Sequence, residues 1–221
     1  MSQTPTVFLL SPAYCGGRRA GILLKPGSLV ALAQRLQAGT LTLGEAFSFM
    51  SGLYFRGKLT YASAFARPAR AGDAGVCIIT PTRGLQPPDT LVSVERIREF
   101  ASVDVSEHDA RYRQPLERDL KALARRLPGA ARVVLLGSVA TGKYVEVLAA
   151  GLGPRLHYPP AFVGRGDMSR GGLLLRSAAA GTELEYAVLA PGATRRGARP
   201  PKLDPLPGRG EGKRQNSELK T

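Results

Sequence analysis

Three short runs of β-branched and aliphatic residues most constrain what this chain can become: residues 6–10 (TVFLL), 76–80 (VCIIT) and 133–136 (VVLL). Each is continuously apolar, with no alternation that would leave one face in water, so each reads as a strand covered on both sides. The stretches between them carry helical periodicity. Residues 29–39 (LVALAQRLQAG) form an expected helix of about three turns after the Pro26-Gly27-Ser28 turn, closed by Gly39. Leu43, Phe47, Met50 and Tyr54 keep three-to-four spacing, and the pattern resumes in phase at Tyr61 and Phe65, which places one apolar stripe along a long helical segment. Gly57 falls on that stripe, where a missing side chain admits a close neighbour, and Arg56 and Lys58 flank it. The segment is expected to break at Gly52 or Gly57. Residues 93–103 read as a short capped helix with Val94, Ile97 and Ala101 inward, and a further helix is expected to start near Pro115 and continue as LERDLKALARRL. The spacing therefore predicts an α/β fold with a largely parallel central sheet flanked by helices.

The C-terminal part reads differently. Residues 173–177 (LLLRS) and 183–190 (ELEYAVLA) suit the two strands of a C-terminal antiparallel hairpin, the second alternating Leu184, Tyr186 and Val188 against Glu183 and Glu185. Beyond Pro191, Gly, Pro and Arg dominate and apolar residues almost vanish, as in a disordered basic tail. The expected organisation is a single α/β domain over residues 1–192 and a disordered basic tail over residues 193–221. A chain of 221 residues is long enough for one well-buried core. Its formal net charge is +14, and residues 195–221 hold eight bases (Arg195, Arg196, Arg199, Lys202, Arg209, Lys213, Arg214 and Lys220) against three acids, a net +5. Such an excess favours polyanionic partners, nucleotide or nucleic acid, although an Arg-rich composition without a working basic surface is the plainer reading. No window approaches eighteen apolar residues, and no basic stretch precedes the short apolar run at the N-terminus. No membrane partner is expected, and a cytoplasmic setting is. Two cysteines, Cys15 and Cys77, fit neither a disulfide framework nor a zinc ribbon.

All three expected strands end in a Gly-containing basic loop: CGGRR, TRG and ATGK. In a parallel sheet, ligands gather outside the carboxyl ends of the strands, so Arg18, Arg19, Arg83 and Lys143 are expected to converge on one edge. From Gly137 through Gly142 to Lys143 the spacing is that of a phosphate-binding G-x-x-x-x-G-K loop. Tyr144 stands where nucleotide-hydrolysing versions place a Ser or Thr magnesium ligand, and no acidic strand end offers a second one. An anion loop without hydrolysis or a plain strand-to-helix connection fits better.

Residues 162–172 (FVGRGDMSRGG) hold four glycines and charges of both signs, which suits a functional loop. Arg165, Ser169 and Arg170 are placed to hold a phosphate, with Asp167 accepting a ribose hydroxyl or a proton; an internal Asp–Arg ion pair that pins the loop is the plainer reading. Asp89, after Pro87 and Pro88, is either a helix-side cap or a buried catalytic or ribose-binding carboxylate. Cys15 beside CGGRR is a conceivable nucleophile, but a buried small hydrophobe fits better. His108 reads as a surface residue. No metal or other cofactor is expected, because neither histidine lies in a ligand pattern and no Ser, His and Asp order suggests a triad.

Several of these pieces, in order, resemble the YaaA-like group of bacterial proteins: LLSPAYCGGRR, GLYFRGKLTYASAFA, CIITPTRGLQPPDT and VVLLGSVATGKYVEVL, together spanning roughly residues 6–152. Members of the group often carry several lysines after the Cys, replaced here by Gly17, Arg18 and Arg19, and FVGRGDMSRGG has no counterpart. The resemblance implies an α/β protein linked to DNA binding or to protection against DNA damage and oxidative stress, with some relatives resembling enzymes that act on nucleobases. It also implies that Cys15, Arg18, Tyr54, Gly84, Asp89, Gly137 and Tyr144 surround a shared cleft.

The functional expectation is a protein that binds a phosphate-bearing nucleotide or nucleic-acid segment at its strand-end loops. If it is an enzyme, it is a metal-independent hydrolase or transferase acting on a nucleoside or nucleobase. Asp167 or Asp89 would then be the acid or base, with Lys143, Arg165 and Arg170 stabilising negative charge. The competing expectation is a non-catalytic nucleic-acid-binding module that uses a basic face and the Arg-rich tail.

Overall fold

The computed structural model describes residues 4–140, 142–190, 197, 198, 200, 201 and 203. The chain runs β1 (Thr6–Leu10), α1 (Arg18–Leu24), α2 (Ala31–Gln37), β2 (Leu41–Thr42), α3 (Leu43–Ser51), α4 (Leu53–Phe65), β3 (Val76–Ile79), β4 (Leu85–Gln86) and β5 (Leu91–Val92). It continues through α5 (Val94–Ala101), α6 (Ala110–Arg126), β6 (Arg132–Leu136), α7 (Gly142–Leu152), β7 (Leu156–Tyr158), α8 (Asp167–Ala179) and β8 (Ala187–Val188). The three apolar runs are β1, β3 and β6. They lie side by side in a six-stranded sheet of order β4-β3-β1-β6-β7-β8, in which β3, β1, β6 and β7 are parallel and the two edge strands antiparallel. This is the α/β fold the periodicity predicts.

The continuous apolarity of β1 has a direct cause: both faces are covered. Phe8 and Leu10, with Val134 and Leu136 of β6, face a core built with α1 to α5 and α8. Val7 and Leu9, with Val133 and Leu135, face a second core closed mainly by α6 and α7. The register sets Leu10 level with both Leu136 and Ile78, so the loops after β1, β3 and β6 leave from one edge of the sheet.

The helices start and stop for local reasons. Thr42 and Glu45 form a capping box at the start of α3, and Arg35 holds the Glu45 carboxylate in a bidentate contact at 2.6 and 2.8 Å, tying α2 to α3. Gly52, at φ 65°, ends α3 and starts α4, so one of the two expected breaks is real; Gly57 lies inside α4. Ser93 caps α5, whose buried residues are Val94, Ile97 and Phe100, while Ala101 is exposed. Helix α6 begins before Pro115, at Ala110, because Asp109 caps it; Pro115 sits inside the helix near its first turn and removes a single backbone donor.

The C-terminal reading needs correction. Residues 173–177 are not a strand but part of α8, so the expected hairpin does not form; the antiparallel strand is β8 alone, paired with β7. In α8, Arg170, Gly171 and Leu174 are buried at helical spacing, and the helix packs on α4. The expected tail, residues 193–221, lies almost wholly outside the described residues. No helix among the described residues is long and apolar enough to cross a membrane.

Candidate functional site

After β1 the chain turns to α1 on one face of the sheet; after β6, the neighbouring strand, it turns to α7 on the other. The two outgoing loops therefore part company at the carboxyl edge and leave a crevice between them, the topological switch point at which open α/β sheets bind ligands. A cleft of about 660 Å³ occupies this position. Its walls come from residues 11–20 after β1, Pro81 after β3, Ser138, Lys143 and Tyr144 after β6, and the end of α5. Tyr54 of α4 and Asp167 at the start of α8 complete it.

The cleft carries three cations against two carboxylates, the exposed Asp104 and Asp167, and one exposed aromatic ring at its rim. Arg18, Arg19 and Lys143 line the cleft, and none of the three forms an ion pair among the described residues. Arg19 lies across Gly52 and donates to the Phe49 carbonyl at 3.4 Å, and the Lys143 ammonium sits 5.2 Å from the Tyr144 ring centroid. Tyr14 is 76 % exposed beside these cations. Its ring is laid over the glycine pair: a Cβ on Gly16 would stand 2.7 Å from the Tyr14 hydroxyl oxygen.

The floor is polar, buried and unusual. Lys58, on α4, is 1 % exposed, and its Nζ lies 2.6 Å from the Ser11 carbonyl oxygen and 2.9 Å from Ser11 Oγ. The ammonium is sandwiched 4.5 Å from the Tyr54 ring centroid and 4.7 Å from that of Phe55, with no carboxylate at ion-pair distance among the described residues. Burial lowers its pKa to about 7; the field of Asp167 opposes this and that of Arg170 adds to it. The Tyr54 hydroxyl is buried without a partner of good hydrogen-bond geometry; the Arg170 guanidinium approaches it and lowers its pKa, against the larger effect of burial. Burial also raises the pKa of the Tyr54 and Tyr144 hydroxyls, which keeps both as neutral donors. Cys15 is a buried thiol pushed up to about 12 by desolvation, so it behaves as a small hydrophobe rather than a nucleophile.

The structure brings together only part of the expected set. Arg18, Arg19, Lys143 and Asp167 line the cleft. Arg83 turns away and pairs with Glu99 at 2.7 Å, so only Pro81 represents the loop after β3. Gly137 is buried against Ser11, where a Cβ would meet Ser11 Cβ at 2.9 Å; Gly142 opens α7 beside Glu107. Neither glycine lines the cleft. Asp89 is exposed in the turn between β4 and β5, neither a helix cap nor a buried carboxylate.

The stretch 162–172 is not one functional loop: a short 3₁₀ turn over Pro160–Phe162 leads to a glycine turn and then directly into α8. Arg165 bonds the Ala161 carbonyl and Ser169 Oγ, and both residues line a separate groove beside Leu53 and Met168. Arg170 is buried beneath the cleft, donating to the Phe162 carbonyl at 3.2 Å, with Asp167 3.6 Å away. The two arginines therefore do not clamp one ligand.

Sequence reading passed over Tyr14, Ser11 and Lys58 as site residues. Lys58 carried a signal, since Tyr54, Lys58, Tyr61 and Phe65 recur at helical spacing and put a lysine on an apolar stripe. Among the described residues no cluster of His, Cys, Asp and Glu is arranged to hold a metal. The arrangement offers cations at a rim, an aromatic face beside them and a buried amine behind a serine. Comparison of the chain with protein-family models, curated proteins and solved structures finds no match.

Proposed function

We propose that this cleft binds a phosphate-bearing nucleotide, free or at the end of a nucleic-acid strand, in a cytoplasmic protein related to the YaaA-like group. The observation that carries the reading is the rim itself: Arg18, Arg19 and Lys143 without carboxylate partners, beside the exposed Tyr14 ring. Elsewhere arginines such as Arg35, Arg67 and Arg83 are neutralised by carboxylates of the same chain. At the rim, Asp104 and Asp167 share the cleft but neither pairs with these three cations, whose charge stays open to a ligand. Guanidinium and ammonium groups together suit a phosphate, and an exposed ring alongside suits the face of a base, a contact worth about 1–3 kcal/mol. The cleft volume of about 660 Å³ falls in the range of small-molecule sites.

Calorimetric titration with adenosine and uridine monophosphates tests the proposal, with ribose 5-phosphate and inorganic phosphate as comparison ligands. Arg18→Ala and Lys143→Ala are each expected to weaken nucleotide binding by roughly tenfold or more, the worth of a charge-assisted hydrogen bond. Tyr14→Ala is expected to weaken the nucleotides and leave ribose 5-phosphate unchanged. Wild-type protein that binds no nucleotide at millimolar concentration overturns it.

A further inference from the structure

We infer that Ser11 and Lys58 form a serine–lysine pair in which the Ser11 hydroxyl is the nucleophile toward a carboxylic ester borne by the anionic ligand of the cleft. The inference rests on the cleft as the ligand site and adds a reaction to it. Its starting point is a lysine where the apolar stripe of α4 calls for a leucine or methionine. A lysine kept for solubility would extend its ammonium to water, and a buried structural one would be paired with a carboxylate. Lys58 does neither: it is 1 % exposed, lies between two aromatic rings, and is aimed at the carbonyl and hydroxyl oxygens of one residue at 2.6 and 2.9 Å. That residue is 5 % exposed and lines the floor of the cleft at the switch point, because Ser11 directly follows β1. Close backbone packing holds it there, since a Cβ on Gly137 would stand 2.9 Å from its own Cβ.

A neutral amine at this position donates one N–H to the Ser11 carbonyl and turns its lone pair to the Ser11 hydroxyl, which then donates. The groups that act on its charge are Asp167 and Arg170 on α8, while the Tyr54 and Phe55 rings of its own helix pack against it; no carboxylate is at ion-pair distance from the amine among the described residues. Desolvation dominates and the pKa falls to about 7, so the neutral form is available at physiological pH. In the first step Ser11 Oγ bonds to the ester carbon while its proton passes to Lys58 Nζ. The carbon–oxygen bond to the ligand then breaks, and the departing ligand hydroxyl takes that proton from Lys58. Water next attacks the acyl-Ser11 ester, releasing the carboxylic acid and restoring the serine.

The test needs no natural substrate. Phenylmethanesulfonyl fluoride forms a sulfonyl ester on an activated serine with loss of fluoride, and peptide mass spectrometry locates it. On the intact chain, modification is expected at Ser11, with a rate that rises with pH and an inflection near pH 7, where Lys58 loses its proton. Lys58→Met is expected to slow Ser11 modification by roughly a hundredfold or more, the usual worth of a general base. If that variant does not fold by circular dichroism, the wild-type pH profile decides. Absence of modification at Ser11, or Ser11 modification without the inflection, overturns the inference. Nucleotide titration of the same sample separates the two readings: binding without a reactive Ser11 removes the reaction alone, and a reactive Ser11 without nucleotide binding removes the ligand class alone.

Discussion

Lys58 makes a prediction at the scale of a single residue that is independent of any ligand. Its native pKa of about 7 lies below the 10.5 of an exposed lysine, so between those values the unfolded chain binds more protons than the folded one. Stability must then rise with pH above about 7, and the cost of burial is felt in full below it. Two opposing contributions start later. The Cys15 and Cys77 thiols have raised pKa values and begin to favour the unfolded state only as pH approaches 9, and the buried tyrosines only near 10. Urea midpoints measured between pH 7 and 8.5 are therefore expected to climb for the wild-type chain and to lose that slope in Lys58→Met. A wild-type midpoint that stays flat across this window would show that the amine remains charged or reaches water.

At the scale of elements, the crossing of α4 and α8 is set by two glycines. A Cβ on Gly57 would stand 2.7 Å from the Gly171 carbonyl oxygen, and one on Gly171 would stand 2.8 Å from the Leu53 carbonyl oxygen. Both obstacles are backbone, so neither can swing aside as a side chain would. Gly57→Ala is expected to destabilise the protein by about 1–3 kcal/mol despite the better helix propensity of alanine. The adjacent glycine is the control: at Gly172 a Cβ meets nothing nearer than 3.6 Å, so Gly172→Ala is expected to stabilise by up to about 1 kcal/mol. Chemical denaturation of the two variants reads opposite signs from substitutions on the two helices. Half of this crossing was legible in the sequence, because Gly57 interrupts the apolar stripe of α4 in phase. The other half was not: Leu173, Leu174 and Leu175 in a row show no period, and four glycines just before them disguise the start of α8 as a loop. What makes that stretch helical is the partner it packs on, which no window of eleven residues contains. The same limit explains Arg165 and Arg170, whose spacing in sequence suggested a clamp but whose helical positions point them to different places.

At the scale of the whole molecule, the sheet and its carboxyl edge were the most legible features, since continuous apolar runs require cover on both faces and basic loops follow each one. Convergence on that edge held for Arg18, Arg19 and Lys143 and failed for Arg83, because Glu99 on α5 captures it, a pairing across the fold that local pattern does not encode. The net charge of +14 belongs to this scale as well; it favours nucleotide and nucleic acid alike, and salt dependence is what separates the nucleotide reading from a non-catalytic nucleic-acid module. A module that uses backbone phosphates must release counterions, so its affinity for a duplex of random sequence falls with salt with a log–log slope near −0.9 per phosphate neutralised. The eight bases in residues 195–221 are one concentrated source of such contacts in the sequence. Replacing all eight with glutamine, which keeps the chain length, is expected to flatten that slope markedly and to weaken duplex binding at low salt. A nucleotide held in the cleft meets Arg18, Arg19 and Lys143 instead, and its affinity is expected to be unchanged by the replacement. Salt-titrated duplex binding and calorimetric nucleotide binding, measured on the same two proteins, therefore respond separately. Duplex binding that keeps its full slope after the replacement would assign the polyanion contact to the body of the fold, and a parallel loss of nucleotide affinity would mean that the basic tail takes part in the cleft.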